Sequence, residues 1–346
     1  MVFSNGLINW YLQNKRDLPW RETINPYHIW LSEIILQQTR VAQGMPYYKS
    51  FLSKFPTISD LANADEEQVL KLWQGLGYYS RARNLHFTAK QISNELNGEF
   101  PNNYKDLLKL KGVGEYTAAA IASFSFNEPV AVLDGNVFRI LSRYFGIDLD
   151  ISHSKTKVEF QKLAQSLLPA KNAATFNQAI MEFGALQCVP KSPNCSDCIF
   201  NSSCYALQKN KISSLPFKSK KTKITKRFLN YLIIEDSENN YIVEKRVEKG
   251  IWQNLFQFPL IEEFEENCSK ISLEVIKNFR FMDKKPTRIN VFNEEYIKHK
   301  LSHQELHIRF YNLKYDCKLK DAESLEKIKK YPFPIVLHNF IETNFL

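Results

Sequence analysis

The sequence predicts a mainly helical N-terminal region followed by a smaller α+β domain. From the start to about Tyr205, apolar residues recur at three- and four-residue spacing, which is typical of helices. Beyond residue 228, short runs rich in β-branched and aromatic residues indicate strands. Four of the six cysteines are crowded between Cys188 and Cys204, where the helical pattern ends. Two or three packed units are therefore expected in 346 residues.

The helical region is punctuated by turn residues, notably Gly112 with Gly114, and the Asp134-Gly135 pair. Between such turns the apolar spacing predicts helices over 26–43, 66–76, 117–126, 135–145, 160–168 and 176–186.

The second half begins with a basic segment, 218–227, which holds six basic residues in ten. This segment is interpreted either as a solvated linker or as a contact to the DNA backbone. Beyond it, the pattern predicts a hairpin of 228–236 with 241–247 through Asn239-Asn240, further strands at 295–301 and 306–317, and helices near 270–279 and 321–330.

Composition gives a broad indication of the compartment and the partner. Lys and Arg outnumber Asp and Glu by 46 to 37, a net charge of +9, which suits a polyanionic partner without requiring one. No signal peptide and no membrane-length apolar run is visible. We therefore expect an intracellular protein, and cysteines clustered in a reducing compartment favour metal binding over disulfides.

The clustered cysteines have the spacing C-x6-C-x2-C-x5-C, formed by Cys188, Cys195, Cys198 and Cys204. Four thiolates from one short segment can each bind one iron of a [4Fe–4S] cluster. Zinc is the alternative, but zinc sites usually use two tight C-x2–4-C pairs and only one pair here is tight. The spacing therefore favours [4Fe–4S].

Two carboxylates stand out in the helical region. Asp134 precedes a predicted helix and can cap its N-terminus, where the helix dipole favours the ionised form. Glu33 is flanked by Trp30, Ile34 and Ile35, and burial among apolar residues raises the pKa of a glutamate. One group suited to remain an anion and one suited to donate a proton are thus predicted.

These motifs resemble those of the helix-hairpin-helix iron–sulfur DNA glycosylases. The stretch 110–118, Leu-Lys-Gly-Val-Gly-Glu-Tyr-Thr-Ala, resembles the hairpin motif, with Lys111 where the family usually has Pro. Asp134, twenty residues past Gly114, matches the family's catalytic carboxylate, and the cysteine spacing matches its iron–sulfur loop. The segments around Glu33, at 16–21 and at 74–84 resemble the adenine glycosylase branch.

The resemblance implies a fold and its boundaries. It implies an iron–sulfur helical module of 1–24 with 127–205, a six-helix barrel module of 25–126, a basic linker of 206–227, and a Nudix-like domain of 228–346. The metal-binding pattern of Nudix hydrolases, REx2EE, is missing after Pro259, so pyrophosphatase activity is not expected.

The resemblance also implies catalytic roles. Glu33 would be the general acid and Asp134 the anion that stabilises the sugar cation, with Tyr116 and Asn136 near the sugar. Tyr116 stands where bifunctional relatives carry the Schiff-base lysine, which implies hydrolysis without strand cleavage.

Binding roles follow from the same resemblance. Adenine would be held by Trp20, Arg21 and Gln178, although each could instead be a core residue. Residues implied to contact DNA or 8-oxoguanine are Gln38, Thr39, Leu76, Tyr78, Gly112, Gly114, Lys191, Ser302 and His303. Leu301 replaces the Phe that precedes this Ser-His pair in the family.

The expected function is removal of adenine opposite 8-oxoguanine or guanine in double-stranded DNA, by a cytoplasmic monomer. Two alternatives stay open from the sequence. One is a pyrimidine glycosylase/lyase similar to endonuclease III, against which Tyr116 argues. The other is a non-catalytic DNA-binding or electron-carrying iron–sulfur protein. Such a protein would not need the acid–anion pair of Glu33 and Asp134.

Overall fold

A computed structural model describes residues 2–219, 224–263, 281 and 284–345. The chain divides by its own contacts into two compact units. The helical unit combines Met1–Asn63 with Asn84–Lys220, and the mixed unit combines Ala64–Arg83 with Lys221–Leu346. Over the described ranges, no helix is both long enough and apolar enough to cross a membrane. The division into an iron–sulfur module and a six-helix barrel module stays a prediction.

The helices follow one another with short connections. In chain order they are α1 (Val2–Asn14), α2 (Pro26–Leu36), α3 (Val41–Lys54), α4 (Ile58–Asn63), α5 (Glu66–Leu72), α6 (Ser80–Glu95), α7 (Tyr104–Leu107), α8 (Glu115–Phe126), α9 (Gly135–Phe145), α10 (Ser154–Leu167), α11 (Ala173–Leu186), α12 (Tyr205–Gln208), α13 (Leu325–Ile328) and α14 (Ile335–Asn344). Short 3₁₀ turns occur at Pro19–Arg21 and Ala170–Asn172.

Helices α2, α8 and α11 form the centre of the helical unit. Helix α2 packs on α8, and α11 packs on α1, α8 and α9. Helix α2 is buried almost all round, which fits its nearly continuous apolar sequence. It begins where Asn25 accepts a hydrogen bond from the N–H of Tyr27, with Pro26 in the first turn. Glu33 is therefore carried on a rigid, central helix.

The predicted helix over 26–43 is wrong in its length, because the chain breaks after Leu36 and α3 starts at Val41. Gln38 takes a left-handed backbone with φ 59° in the intervening turn. The break lets α3 fold back on the end of α2 at Gly44. A Cβ there would lie 2.8 Å from a methyl carbon of Leu36, so any larger residue would require the Leu36 side chain to shift.

The helices predicted over 117–126 and 135–145 are confirmed as α8 and α9. The helix predicted over 160–168 begins earlier, at Ser154, and the one over 66–76 ends at Leu72. Helix α9 ends at Gly146 with φ 72°, where a side chain would collide with the ring of Tyr205.

The mixed unit is built on one sheet with the order β4-β1-β7-β5, and β6 also pairs with β7. The strands are β1 (Thr225–Glu235), β2 (Glu244–Lys245), β3 (Phe256–Gln257), β4 (Leu260–Glu263), β5 (Arg288–Val291), β6 (Ile297–Lys300) and β7 (Gln304–Lys314). Strands β1 and β7 are parallel along their whole length, whereas the other pairs are antiparallel. The predicted strands at 295–301 and 306–317 are thereby confirmed.

The predicted hairpin of 228–236 with 241–247 is wrong beyond its turn. The chain does reverse at Asn239, and in the described residues the N–H of Asp236 donates to the carbonyl of Asn240 and the N–H of Ile242 to the carbonyl of Ile234. Beyond Ile242 the segment leaves β1, and β2 pairs with β3 instead. One edge of β1 is paired with β7 along its whole length, and β4 pairs with Phe228–Tyr231 on the other edge, so the returning segment can pair only with the end of β1.

Helix α13 occupies one turn of the predicted 321–330 helix. The helix predicted near 270–279 and residues 220–223 of the predicted linker lie outside the described residues. Strand β1 starts at Thr225, within the segment predicted as linker.

Candidate active site

Glu33 is the central group of the site. Its side chain is buried on α2, with 7% of the residue exposed, and its Oε2 accepts a hydrogen bond of 2.7 Å from the hydroxyl of Tyr116. The pKa of Glu33 is raised to about 7: burial is the largest cause, and the charge of Asp134 adds to it, while the hydrogen bond from Tyr116 and the charge of Arg21 oppose the rise. The predicted proton donor thus has the environment that the sequence indicated.

Tyr116 lies in the first turn of α8, directly after the hairpin turn. That turn requires Gly112, with φ 78°, because a Cβ there would lie 2.7 Å from the Cβ of Asn84. Burial and the nearby carboxylates of Glu33 and Asp134 raise the pKa of Tyr116 well above 10. The hydroxyl therefore keeps its proton and acts as a hydrogen-bond donor to Glu33.

Asp134 caps α9, as the sequence predicted. Its Oδ1 accepts from the backbone N–H of Asn136 at 2.9 Å and of Val137 at 2.8 Å, and its Oδ2 accepts from Nδ2 of Asn136 at 2.7 Å. Burial raises the pKa of Asp134, and these three hydrogen bonds oppose that rise. The site brings together Glu33, Tyr116, Asp134 and Asn136.

Arg139 is a buried residue of this site that sequence reasoning missed. Its Nη2 donates to Oδ1 of Asn136 at 2.9 Å and to the carbonyl of Gly184 at 2.7 Å, and its Nε donates to the carbonyl of Cys188 at 2.7 Å. It thus joins the cap of α9 to the start of the cysteine segment. An arginine one turn into a helix is too common a feature to reveal such partners.

Of the residues predicted for the adenine pocket, Arg21 is close enough to Glu33 for its charge to lower the pKa of that carboxyl. Trp20 is buried and meets Tyr48 edge-to-face, with ring centroids 5.1 Å apart. The Nε of Arg21 donates to Oε1 of Gln178 at 3.0 Å. Glu182, which the sequence did not single out, is buried and paired with Arg21 through two hydrogen bonds.

The cysteine segment is held by α9 through Arg143. The Nη1 of Arg143 lies 3.4 Å from the Sγ of Cys188. The backbone carbonyl of Arg143 accepts a hydrogen bond from the Sγ of Cys204 at 3.6 Å. The backbone N–H of Phe200 donates to the Sγ of Cys198 at 3.4 Å. In the described part of the chain, no three His, Cys, Asp or Glu side chains converge closely enough to hold a single metal ion.

The predicted DNA-contacting residues of the helical unit are open to solvent at three places. Gly114 is exposed at the start of α8 and no side chain caps that helix. Gln38 is exposed in the turn after α2, with Thr39 half-buried beside it. Lys191 is exposed among the cysteines.

The mixed unit brings together two of the residues predicted to read 8-oxoguanine. The hydroxyls of Tyr78 and Ser302 are hydrogen-bonded, and the ring of Tyr78 is half exposed. They line a cavity of about 700 Å³ together with His303 and Trp252. Leu76 is buried in its present position, with 6% exposed.

Known proteins resemble this chain over most of its length. Residues 31–166 match the HhH-GPD superfamily of base excision DNA repair proteins, and residues 230–343 match the NUDIX domain. The adenine DNA glycosylase of Buchnera aphidicola subsp. Schizaphis graminum is 40% identical over 308 residues, which cover 89% of this chain and 86% of that protein. The chain belongs to the adenine DNA glycosylase family.

Other members and solved structures extend the comparison. The human adenine DNA glycosylase is 44% identical over 217 residues, 60% of this chain and 40% of that protein. A thermostable thymine-DNA glycosylase superposes with a TM-score of 0.56 at 31% identity, covering 60% of this chain and 96% of its own. An endonuclease III bound to DNA, at 23% identity and a TM-score of 0.53, shares the fold over 60% of this chain and 95% of its own.

The predicted fold class is therefore confirmed in both parts, a helix-hairpin-helix glycosylase region and a Nudix domain with a mixed sheet.

Proposed function

We propose that this chain excises adenine opposite 8-oxoguanine, and opposite guanine, from double-stranded DNA by hydrolysis alone. The observation that carries the proposal is the buried Glu33 carboxyl, with a pKa of about 7, hydrogen-bonded to Tyr116 and close to Asp134. A proton donor effective near neutral pH and a second carboxylate suit cleavage of a glycosidic bond. A tyrosine at position 116 leaves no amine for a Schiff base.

The first step is cleavage of the C1′–N9 bond. Protonated Glu33 gives its proton to N7 of adenine, so the base departs neutral instead of as an anion. The bond electrons stay with the base, and the sugar becomes an oxocarbenium ion. Asp134, fixed by its cap hydrogen bonds, supplies the negative charge that stabilises this cation.

Water completes the reaction. Its oxygen bonds to C1′ while its proton passes to Glu33, now a carboxylate, which restores the starting acid. Tyr116 donates to Glu33 throughout and orients it, and Asn136 does the same for Asp134. Every proton is accounted for without a covalent enzyme intermediate.

DNA is held by several surfaces in this proposal. The hairpin with Gly112 and Gly114 and the exposed Lys191 would contact phosphates. Gln38 would fill the gap left by the flipped base, and its left-handed backbone at an exposed turn supports this role. We expect the protein to act as a monomer in the cytoplasm.

Recognition of the damaged pair is assigned to the mixed unit and the turn after α2. The hydroxyl of Ser302 can accept from the N7–H that 8-oxoguanine has and guanine lacks, and its contact with Tyr78 supports a shared site. The remaining contributors would be His303, Leu76 and Thr39. Adenine itself would be lined by Trp20, Arg21 and Gln178.

The cysteine segment fits a [4Fe–4S] cluster. Hydrogen bonds from Phe200 and Arg143 to sulfur are of the kind that stabilise thiolates. A zinc site usually uses two tight C-x2–4-C pairs, whereas this segment has only one. Cys188, Cys195, Cys198 and Cys204 would hold the cluster, which when bound would fix this segment of the fold. Iron and sulfide analysis of anaerobically purified protein tests the assignment, and stoichiometric zinc without sulfide would refute it.

The activity is tested with duplexes that contain adenine opposite 8-oxoguanine, adenine opposite guanine, and thymine glycol. We expect abasic sites from the first two and no strand cleavage before alkali. Release of thymine glycol with strand nicking, and intact adenine, would instead favour the pyrimidine glycosylase/lyase.

A further inference from the structure

Met181 on α11 is a neighbour of the catalytic groups that the mechanism above does not use. Its Sδ lies 3.8 Å from the hydroxyl of Tyr116, and the same hydroxyl donates the hydrogen bond of 2.7 Å to Oε2 of Glu33. Met181 is half-buried, so part of its side chain remains accessible to small molecules. Methionine often serves as an adaptable apolar filler, but its thioether is also a common target of oxidants.

The Tyr116 hydroxyl lies between two acceptors and has one proton to donate. Burial and the nearby carboxylates raise the pKa of Tyr116 well above 10, so this proton is retained. A thioether sulfur is a weak hydrogen-bond acceptor, whereas a carboxyl oxygen is a strong one. The hydroxyl therefore donates to Glu33 as long as the sulfur of Met181 is reduced.

Oxidation of the sulfur would change this competition. A lone pair of the thioether sulfur attacks one oxygen of hydrogen peroxide, an S–O bond forms as the O–O bond breaks, and the second oxygen leaves as water. Methionine is thereby oxidised to the sulfoxide, which turns an apolar side chain into a polar one. The sulfur is 3.8 Å from the hydroxyl, so an oxygen bonded to it can reach the roughly 2.5–3.0 Å of an O–H···O hydrogen bond.

We propose that Met181 is an oxidation site that regulates base excision: its sulfoxide oxygen accepts the hydrogen bond of Tyr116, which Glu33 then loses. The inference rests on the proposed function. Without this donor the Glu33 carboxyl is no longer held in one orientation, so excision slows. The change is reversible, because a sulfoxide reductase restores the thioether with two thiols, which become a disulfide while the oxygen leaves as water.

The test exposes the intact chain to hydrogen peroxide and measures sulfoxide at each methionine by peptide mass spectrometry. Single-turnover release of adenine opposite 8-oxoguanine is measured on the same samples. The wild-type rate should fall about tenfold or more as Met181 gains one oxygen, as expected for the loss of a hydrogen bond to a chargeable group. Treatment with a methionine sulfoxide reductase should restore the rate.

Two variants separate Met181 from other oxidation damage. Met181→Leu keeps a similar side-chain volume without sulfur, so it should start within about threefold of the wild-type rate and keep that rate after peroxide. Met45→Leu is the matched control, because Met45 is also half-buried but lies on α3. It should lose activity as the wild type does. Damage that peroxide causes in the cysteine segment is common to all three proteins and cancels in the comparison.

Tyr116→Phe tests whether the effect passes through the hydroxyl. This variant has no hydrogen bond to divert, so peroxide should change its rate by no more than about twofold, however slow it is at the start. In the wild type, oxidation should also move the alkaline limb of the pH–rate profile to higher pH. The reason is that the hydrogen bond from Tyr116 favours the charged form of Glu33 and lowers its pKa.

Equal losses in the wild type and Met181→Leu would overturn the inference, as would full oxidation of Met181 with an unchanged rate. Equal slowing of the wild type and Tyr116→Phe, with an unmoved alkaline limb, would overturn it too, because the sulfoxide would then act only by filling space. An untreated wild-type protein that releases no adenine would instead refute the proposed function.

Discussion

Replacing Glu33 with glutamine should abolish adenine release and at the same time stabilise the helical unit at alkaline pH. The amide cannot supply an acid's proton, which explains the loss of activity. The gain in stability comes from removing a buried negative charge, because Gln keeps the shape of Glu and its Oε1 can still accept the hydroxyl of Tyr116.

The magnitude follows from the pKa of Glu33, raised from 4.5 to about 7. Between these values the folded protein holds a proton that the unfolded chain has lost, so the free energy of unfolding decreases as pH rises. Below pH 4.5 both states are protonated and the penalty is absent. Above pH 7 it is complete, at about 1.4 kcal/mol per pKa unit, or about 3 kcal/mol in all.

The assay compares thermal unfolding of wild type and Glu33→Gln between pH 5 and 8.5. At roughly 2–4 °C per kcal/mol, the variant should unfold roughly 6–12 °C higher at pH 8.5, with a much smaller difference at pH 5. Glu95→Gln, at the exposed end of α6, is the control and should change little at any pH. An advantage of Glu33→Gln that is equal at both pH values would refute the reasoning.

Three further predictions concern the reaction and DNA binding. The single-turnover rate should fall above about pH 7, approaching tenfold per pH unit, because Glu33 must be protonated; a rate that is flat to pH 9 would remove it from the acid role. Tyr116→Lys should place an ammonium against Glu33, lower its pKa and slow adenine release at least tenfold, so a wild-type rate would contradict the contact seen at Tyr116. Lys111, whose Nζ lies 4.1 Å from the ring centroid of Phe87 beside the hairpin, should contact a phosphate. The plot of log affinity against log salt has a negative slope, and its magnitude should decrease by about one in Lys111→Ala. The exposed Lys54→Ala is the control and should keep the wild-type slope. A Lys111→Ala slope equal to that of the wild type would exclude the contact.

Local chemistry is the part that the sequence by itself determined. The cap of α9 needs only Asp134 and the two backbone N–H groups that follow it, so its position is decided by neighbours in the chain. The same holds for the spacing of the cysteines. Such features depend on residues a few positions apart, and their patterns are specific enough to identify the family.

Tertiary structure decided everything that depends on distant partners. The pKa of Glu33 is set by burial and by Tyr116, 83 residues away, and the charge of Glu182 is balanced by arginines about 160 residues earlier. The approach of α3 to the end of α2 at Gly44 joins residues on either side of the break at Gln38, and the hairpin is cut short where β4 pairs with β1. Apolar periodicity tells which face of an element is buried but not what buries it, because many partners offer the same hydrophobic gain.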